Sequence, residues 1–100
     1  MIRATTAALY TEDGPQGVFD PAERSARTVL CTVQSVGMRE VYEASAHGLR
    51  PEVKLRLTHA IDYQDEPYCE LEGKQYEIIR TYYDERDGIE LILQRRGDRR

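Results

Sequence analysis

Cys31, Cys69, His47 and His59 are the residues of this 100-residue chain best suited to hold a metal or act as a nucleophile. A zinc site needs about four converging donors. Two cysteines and two histidines reach that number, but neither cysteine belongs to a CxxC, and the histidines stand 12 positions apart on different expected elements. That spacing matches no zinc pattern. A reactive thiolate needs a helix N-terminus or a cation beside it. Both cysteines sit inside strand-like alternation, and no cysteine-protease signature surrounds either. Two reduced, buried thiols are the expectation, and a disulfide between them stays open, since its geometry is not written in the spacing.

The other candidates carry as little. Asp62, Asp65 and Glu66 lack the order of a calcium loop and are expected as solvated loop charge. Gly14 and Gly17 lack the Lys-Ser/Thr and the strand–helix setting of a phosphate loop. Arg96-Gly97-Asp98 spells an adhesion tripeptide, short enough to arise by chance in a charged tail. No catalytic, cofactor-binding or metal-binding residue is therefore assigned, and no enzymatic activity is expected.

The aromatic residues are more telling. Seven are Tyr, against one Phe and no Trp. Tyr suits a pleated, half-buried surface and equally suits an interface, because it combines apolar area with a polar tip. Both readings are kept.

The elements that position these residues are mostly strands. Ala4 to Tyr10 reads as a first strand. Thr11 to Pro21 holds Asp13-Gly14-Pro15, Gly17 and Asp20-Pro21, the chemistry of a long loop. From Arg27 to Val36, with a start as early as Ala22, Val29, Cys31 and Val33 alternate with Thr28, Leu30, Thr32 and Gln34.

Between Gly37 and His47 the period changes. Met38, Val41, Tyr42 and Ser45 make one weak stripe of a short helix, with Ser35 as the expected N-cap and Gly48 as the C′ residue. A stripe this weak is expected to pack on a sheet edge or a neighbouring subunit. Val53, Leu55 and Leu57 mark a third strand. After the acidic connection 61–67 come strands over Tyr68 to Leu71 and Lys74 to Tyr83, joined at Glu72-Gly73. In the second of these, Tyr76, Ile78 and Arg80 are expected on one face, opposite Gln75, Glu77, Ile79 and Thr81. Asp87-Gly88 turns the chain into a last strand with Ile89, Leu91 and Leu93. About six strands and one helix at this turn spacing suggest a small barrel or sandwich.

Composition bounds the rest. The length fits one domain, taken as residues 1–94, with a basic tail over 95–100 expected to be solvated and disordered. The formal charge is −4 overall, but the last six residues hold four Arg and one Asp, so the body carries −7. An acidic body opposes general binding to phosphate backbones. No apolar run approaches the roughly 18 residues of a membrane span. The start Met1-Ile2-Arg3-Ala4-Thr5 lacks a signal-peptide pattern, so the chain is expected in a cytosol or in something assembled there.

One resemblance draws these readings together. The run Cys31-Thr32-Val33-Gln34-Ser35-Val36-Gly37-Met38-Arg39-Glu40-Val41-Tyr42 resembles the centre of the head-closure proteins of tailed phages and prophages, also called head–tail joining or stopper proteins. The likeness continues through Gly48-Leu49-Arg50-Pro51-Glu52, Asp62-Tyr63, Leu71-Glu72-Gly73-Lys74-Gln75-Tyr76 and Ile79-Arg80-Thr81-Tyr82 to Ile89-Glu90-Leu91. It implies a mostly β fold: a small antiparallel β-barrel of about six strands with one short helix between strands two and three.

It also implies a non-enzymatic, cofactor-free subunit that self-associates into a connector ring at the virion neck. Such a ring retains DNA in the capsid and docks the tail. The implied partners are portal or adaptor proteins, tail or tail-completion proteins, and packaged DNA nearby without sequence-specific binding; no membrane is involved. The working surfaces would be the Thr11–Pro21 loop, with Asp13, Gln16 and Phe19, and the Gln34–Pro51 segment, with Met38, Arg39, Tyr42, His47 and Arg50. Two other readings stand beside it: a tail-completion or other connector-layer protein, and a small-barrel nucleic-acid-binding module.

Overall fold

Two long strands, β1 (Arg3–Asp13) and β2 (Glu23–Gln34), open the structure as one antiparallel hairpin. The computed structural model describes residues 3–13 and 23–96, excepting the side chains of 13 and 23–25. The hairpin ladder runs from Arg3↔Val33 to Asp13↔Glu23. The expected loop is thus shorter at its start: Thr11, Glu12 and Asp13 continue the ladder opposite Ser25, Arg24 and Glu23. The backbone pairing that a long partner strand offers outweighs the weak strand preference of the two acids.

The remaining elements are α1 (Met38–Ser45), β3 (Pro51–Leu57), a single 3-10 turn (Ala60–Asp62), β4 (Tyr68–Leu71), β5 (Lys74–Tyr83) and β6 (Ile89–Arg95). The strands close in the order β1-β2-β3-β6-β5-β4, and every neighbouring pair is antiparallel. The expected six-stranded barrel with its helix between strands two and three is what forms. Closure removes the sheet edges that invite aggregation.

Alternation fills the interior. Ala7 and Leu9, Val29 and Cys31, Leu55 and Leu57, Cys69 and Leu71, Tyr76, and Ile89, Leu91 and Leu93 form one buried cluster. Leu9, Leu55, Leu57, Ile89, Leu91 and Leu93 are fully buried. Each contributes about 1.5–3 kcal/mol by leaving water. Both cysteines lie in this cluster as free thiols.

The turns follow their residues. Glu72 (φ 54) and Gly73 (φ 81) are both left-handed, as a two-residue hairpin between Leu71 and Lys74 demands. Asp87 is also left-handed, at φ 64. The following Gly88 is needed for space: a Cβ there would collide with the Arg56 guanidinium and come within 2.8 Å of the Leu57 carbonyl.

One expected pattern is overturned in β5. The register shifts between Ile78 and Arg80, so Ile78 opposes Leu93 while Arg80 opposes Ile92 and Thr81 opposes Leu91. A bulge adds a residue and reverses the phase beyond it. Arg80 therefore leaves the face of Tyr76 and Ile78, and Thr81 joins it.

The acidic connection is also more than solvated charge. Glu66 is buried at 6% exposure. Arg27 of β2 donates from Nε to Glu66 Oε2 at 2.8 Å and from Nη2 to the Asp62 carbonyl at 2.6 Å. Glu66 Oε1 accepts the Gln64 N–H at 2.8 Å, and the Tyr63 hydroxyl donates to the Glu66 carbonyl at 3.0 Å. Tyr63 packs on the core cluster, and burial pushes its hydroxyl up to about 12. The 60–66 segment is thereby tied to β2.

At the C-terminal end, Arg95 is the last residue of β6. The Arg96 N–H donates to the Gln75 carbonyl at 2.9 Å. Both arginines, expected in the tail, belong to the barrel; residues 97–100 of that tail lie outside the described residues.

Candidate functional site

The helix α1 has one side committed to the barrel and one side bare. Its N-cap is Gly37, with no side-chain cap hydrogen bond. The expected cap, Ser35, lies two residues too early to serve the first turn and is exposed. The other end matches expectation. The Leu49 N–H donates to the Ala44 carbonyl at 3.0 Å and the Gly48 N–H to the Ser45 carbonyl at 3.1 Å, with Gly48 at φ 75. This is a Schellman ending, which needs a residue free to turn left-handed.

Of the expected stripe only Val41 turns to the barrel, while Met38, Tyr42 and Ser45 are exposed. Ala44 is the buried residue of α1, with Glu40 and Val41 half-buried beside it. The helix lies against β3. From its other flank Glu40 reaches β5, accepting from the Tyr82 hydroxyl at 3.2 Å and lying 3.5 Å from Arg80 Nη1. In the sheet, β6 runs between β3 and β5, so α1 crosses its outer face. Ile92, whose register neighbours are Lys54 and Arg80, is fully buried yet stands outside the interior cluster. It is an apolar residue buried on the outer face of β6. Burial, followed by the charge of Glu40, pushes the Tyr82 hydroxyl above its ordinary range.

Met38 and Tyr42 point away from the barrel and stay 68% and 70% exposed. Arg39, beside them, is exposed and forms a loose i,i+4 pair with Glu43 at 3.8 Å. His47 and Arg50 are exposed in the segment that follows, and the Arg50 backbone N–H donates to Gln94 Oε1 at 2.8 Å. The structure thus gathers Met38, Arg39 and Tyr42 on the outer side of one helix, with His47 and Arg50 beyond its end. Of the three expected contacts in the first loop, Asp13 ends the β1 ladder, while Gln16 and Phe19 lie outside the described residues.

Three further apolar side chains are exposed that were not singled out: Leu30, Ile61 and Tyr83. Leu30 had a legible signal, an apolar residue on the polar face of β2 between Thr28 and Thr32. Ile61 and Tyr83 had none, because neither breaks a pattern. With Asp84 and Gly88 they line a depression of about 420 Å³. Of its two carboxylates, Asp84 and Asp87, the first is already engaged. Asp84 Oδ1 accepts the N–H groups of Arg86 and Gly88 at 2.8 and 2.9 Å, and Oδ2 accepts Arg56 Nε at 2.8 Å. The Arg86 N–H, then the Gly88 N–H and Arg56, hold this carboxyl below the ordinary aspartate range.

The tyrosines divide. Tyr10 and Tyr76 are buried, and Tyr63, Tyr68 and Tyr82 are half-buried and bonded or stacked within the fold. Tyr42 and Tyr83 are left as bare aromatic surface. Burial raises both thiols, Cys69 to about 12. Among the described residues no group of three or more His, Cys, Asp or Glu is placed to hold a metal, and no helix is long and apolar enough to cross a membrane.

Fold and surface together define a closed six-stranded antiparallel barrel that carries a docked helix with an apolar outer side. No protein-family model matches the chain, and no curated protein matches it either.

Proposed function

We propose that this chain is a structural head-closure, or head–tail joining, subunit of a tailed phage or prophage. In this reading it builds a connector ring at the virion neck, beneath the portal, that retains DNA and docks the tail. The observation that carries the proposal is α1: a helix between the second and third strands, seated on the barrel by Ala44, that leaves Met38 and Tyr42 bare. An exposed Met and Tyr side by side suit a protein interface, where both residue types are enriched. The role is adhesive rather than catalytic, with portal-side and tail-side proteins and further copies of the chain as partners.

The charge supports the same reading. With Arg95 and Arg96 counted in the barrel, the body through Arg96 still carries −5, and an acidic body beside confined DNA repels phosphate and lets the genome slide, where a basic lining would grip it. The test is assembly. Virions lacking the protein should lose packaged DNA and fail to join tails, and the purified chain should bind a portal–adaptor platform. Virions that retain DNA and join tails without it would exclude the role. Localisation in a virion map separates a stopper from a tail-completion or other connector-layer subunit.

A further inference from the structure

At one level of the β1–β2 hairpin, two arginines grip it from opposite faces. Leu9 pairs with Arg27, and the adjacent rung is Tyr10↔Ala26. Arg27, in the inward phase of Leu9 and Val29, holds the 60–66 segment through Glu66 and the Asp62 carbonyl. On the outer face, Tyr10 pairs with Tyr68 of β4, their ring centres 5.4 Å apart. The Arg96 guanidinium lies 3.8 Å from the Tyr68 ring centre and donates to the Tyr10 hydroxyl at 3.0 Å and to Glu12 at 2.6 Å. Tyr10 is fully buried although it stands outside the barrel interior.

Here β4 ends. The rungs Thr11↔Ser25, Glu12↔Arg24 and Asp13↔Glu23 continue as a two-stranded arm. A two-stranded ribbon is marginal alone, so its direction depends on what holds its root. We propose that Arg96 is a clamp that fixes the arm to the barrel from the C-terminal end of the chain, with Arg27 as the fixed pivot on the other face. The two grips differ in character. Arg27 meets a carboxylate that is 8% exposed, whereas Glu12, the carboxylate that meets Arg96, is 30% exposed and more open to screening by salt. The clamp is the releasable one, and whatever displaces Arg96 frees the arm without opening the barrel.

Hydrogen exchange on the full chain tests this. Arg96→Ala should speed exchange about tenfold at those amides of the Thr11↔Ser25 and Glu12↔Arg24 rungs that bond across the arm, the effect of losing one hydrogen bond to a charged group. Amides of Leu55, Leu91 and Leu93 should be unchanged. Tyr10→Phe, which keeps the ring and removes the hydroxyl, should produce a smaller change at the same amides. Unchanged arm exchange in Arg96→Ala, or equal acceleration of arm and core, would overturn the clamp.

Discussion

Arg27 and Glu66 stand 39 residues apart and meet at 2.8 Å, the guanidinium of β2 on the buried carboxylate of the 60–66 segment. Removing either partner has unequal consequences. Arg27→Ala leaves a buried charge uncompensated, a change that costs about 3 kcal/mol or more. Glu66→Gln keeps one acceptor oxygen, for Arg27 or for Gln64 but not for both, and leaves no buried charge, so it should cost less. Urea unfolding decides: the midpoint should fall further for Arg27→Ala, with the slope unchanged. Equal midpoints would mean that the pair does not hold this segment.

The helix offers a separation of stability from assembly. Met38→Ala with Tyr42→Ala removes exposed side chains only, and should change the stability of the isolated chain by less than about 0.5 kcal/mol. Ile92→Ala removes a fully buried side chain from the outer face of β6 and should cost about 2–4 kcal/mol. Thermal melts of both variants, set beside binding to a portal–adaptor platform, give the contrast. Lost binding in the double variant with a native melt is the expected result. A large drop in its melting temperature would place the two residues in the core.

Acid should act through Asp84. Its carboxyl is held below the ordinary aspartate range in the folded chain. A depressed folded pKa adds stability at pH values above the unfolded pKa, and that stability is lost as pH falls through the folded one. The loss should therefore begin below about pH 4, the ordinary aspartate value. Asp84→Asn should flatten this part of the stability–pH curve while leaving its neutral-pH part lower than native. A curve as steep as the native one would remove Asp84 from the account.

Gly88→Ala tests crowding in the same turn. The Leu57 carbonyl at 2.8 Å is backbone in the barrel wall and has little room to retreat. The added methyl should destabilise by about 1–3 kcal/mol, measured as a shift in the urea midpoint. A neutral result would show that β3 yields at this point.

The thiols should report on opening. Cys31 and Cys69 are buried, and burial raises both, Cys69 to about 12. Thiolate, the reactive form, is scarce for both at neutral pH. Labelling by a thiol reagent should follow global unfolding, with Cys69 at least as protected as Cys31. Rapid labelling of Cys69 in the native state would contradict the packing.

Much of this protein was legible in its residues. Alternation at Val29–Val33, Val53–Leu57 and Ile89–Leu93 marks strands because side chains on a pleat point to alternate faces. Glu72-Gly73 and Asp87-Gly88 mark turns because Gly73 and Asp87 are of the types that accept left-handed backbone. The helix end at Gly48 follows from the same cause. These signals are local, and local geometry is what neighbouring residues determine.

Tertiary structure alone decided the rest, because it depends on residues far apart in the chain. The two cysteines with which a search for chemistry begins are interior packing, since closure of the barrel turns β2 and β4 inward together. Arg80 faces outward because a bulge in β5 reverses its phase, and a bulge carries no composition of its own. Ala44, with Glu40 and Val41 beside it, meets the barrel, because Glu40's partners on β5, Tyr82 and Arg80, fix which side of the helix turns inward. Arg27 finds Glu66, and Arg96 finds Tyr10, only once the sheet has closed and brought the two ends of the chain to one rung of the first hairpin.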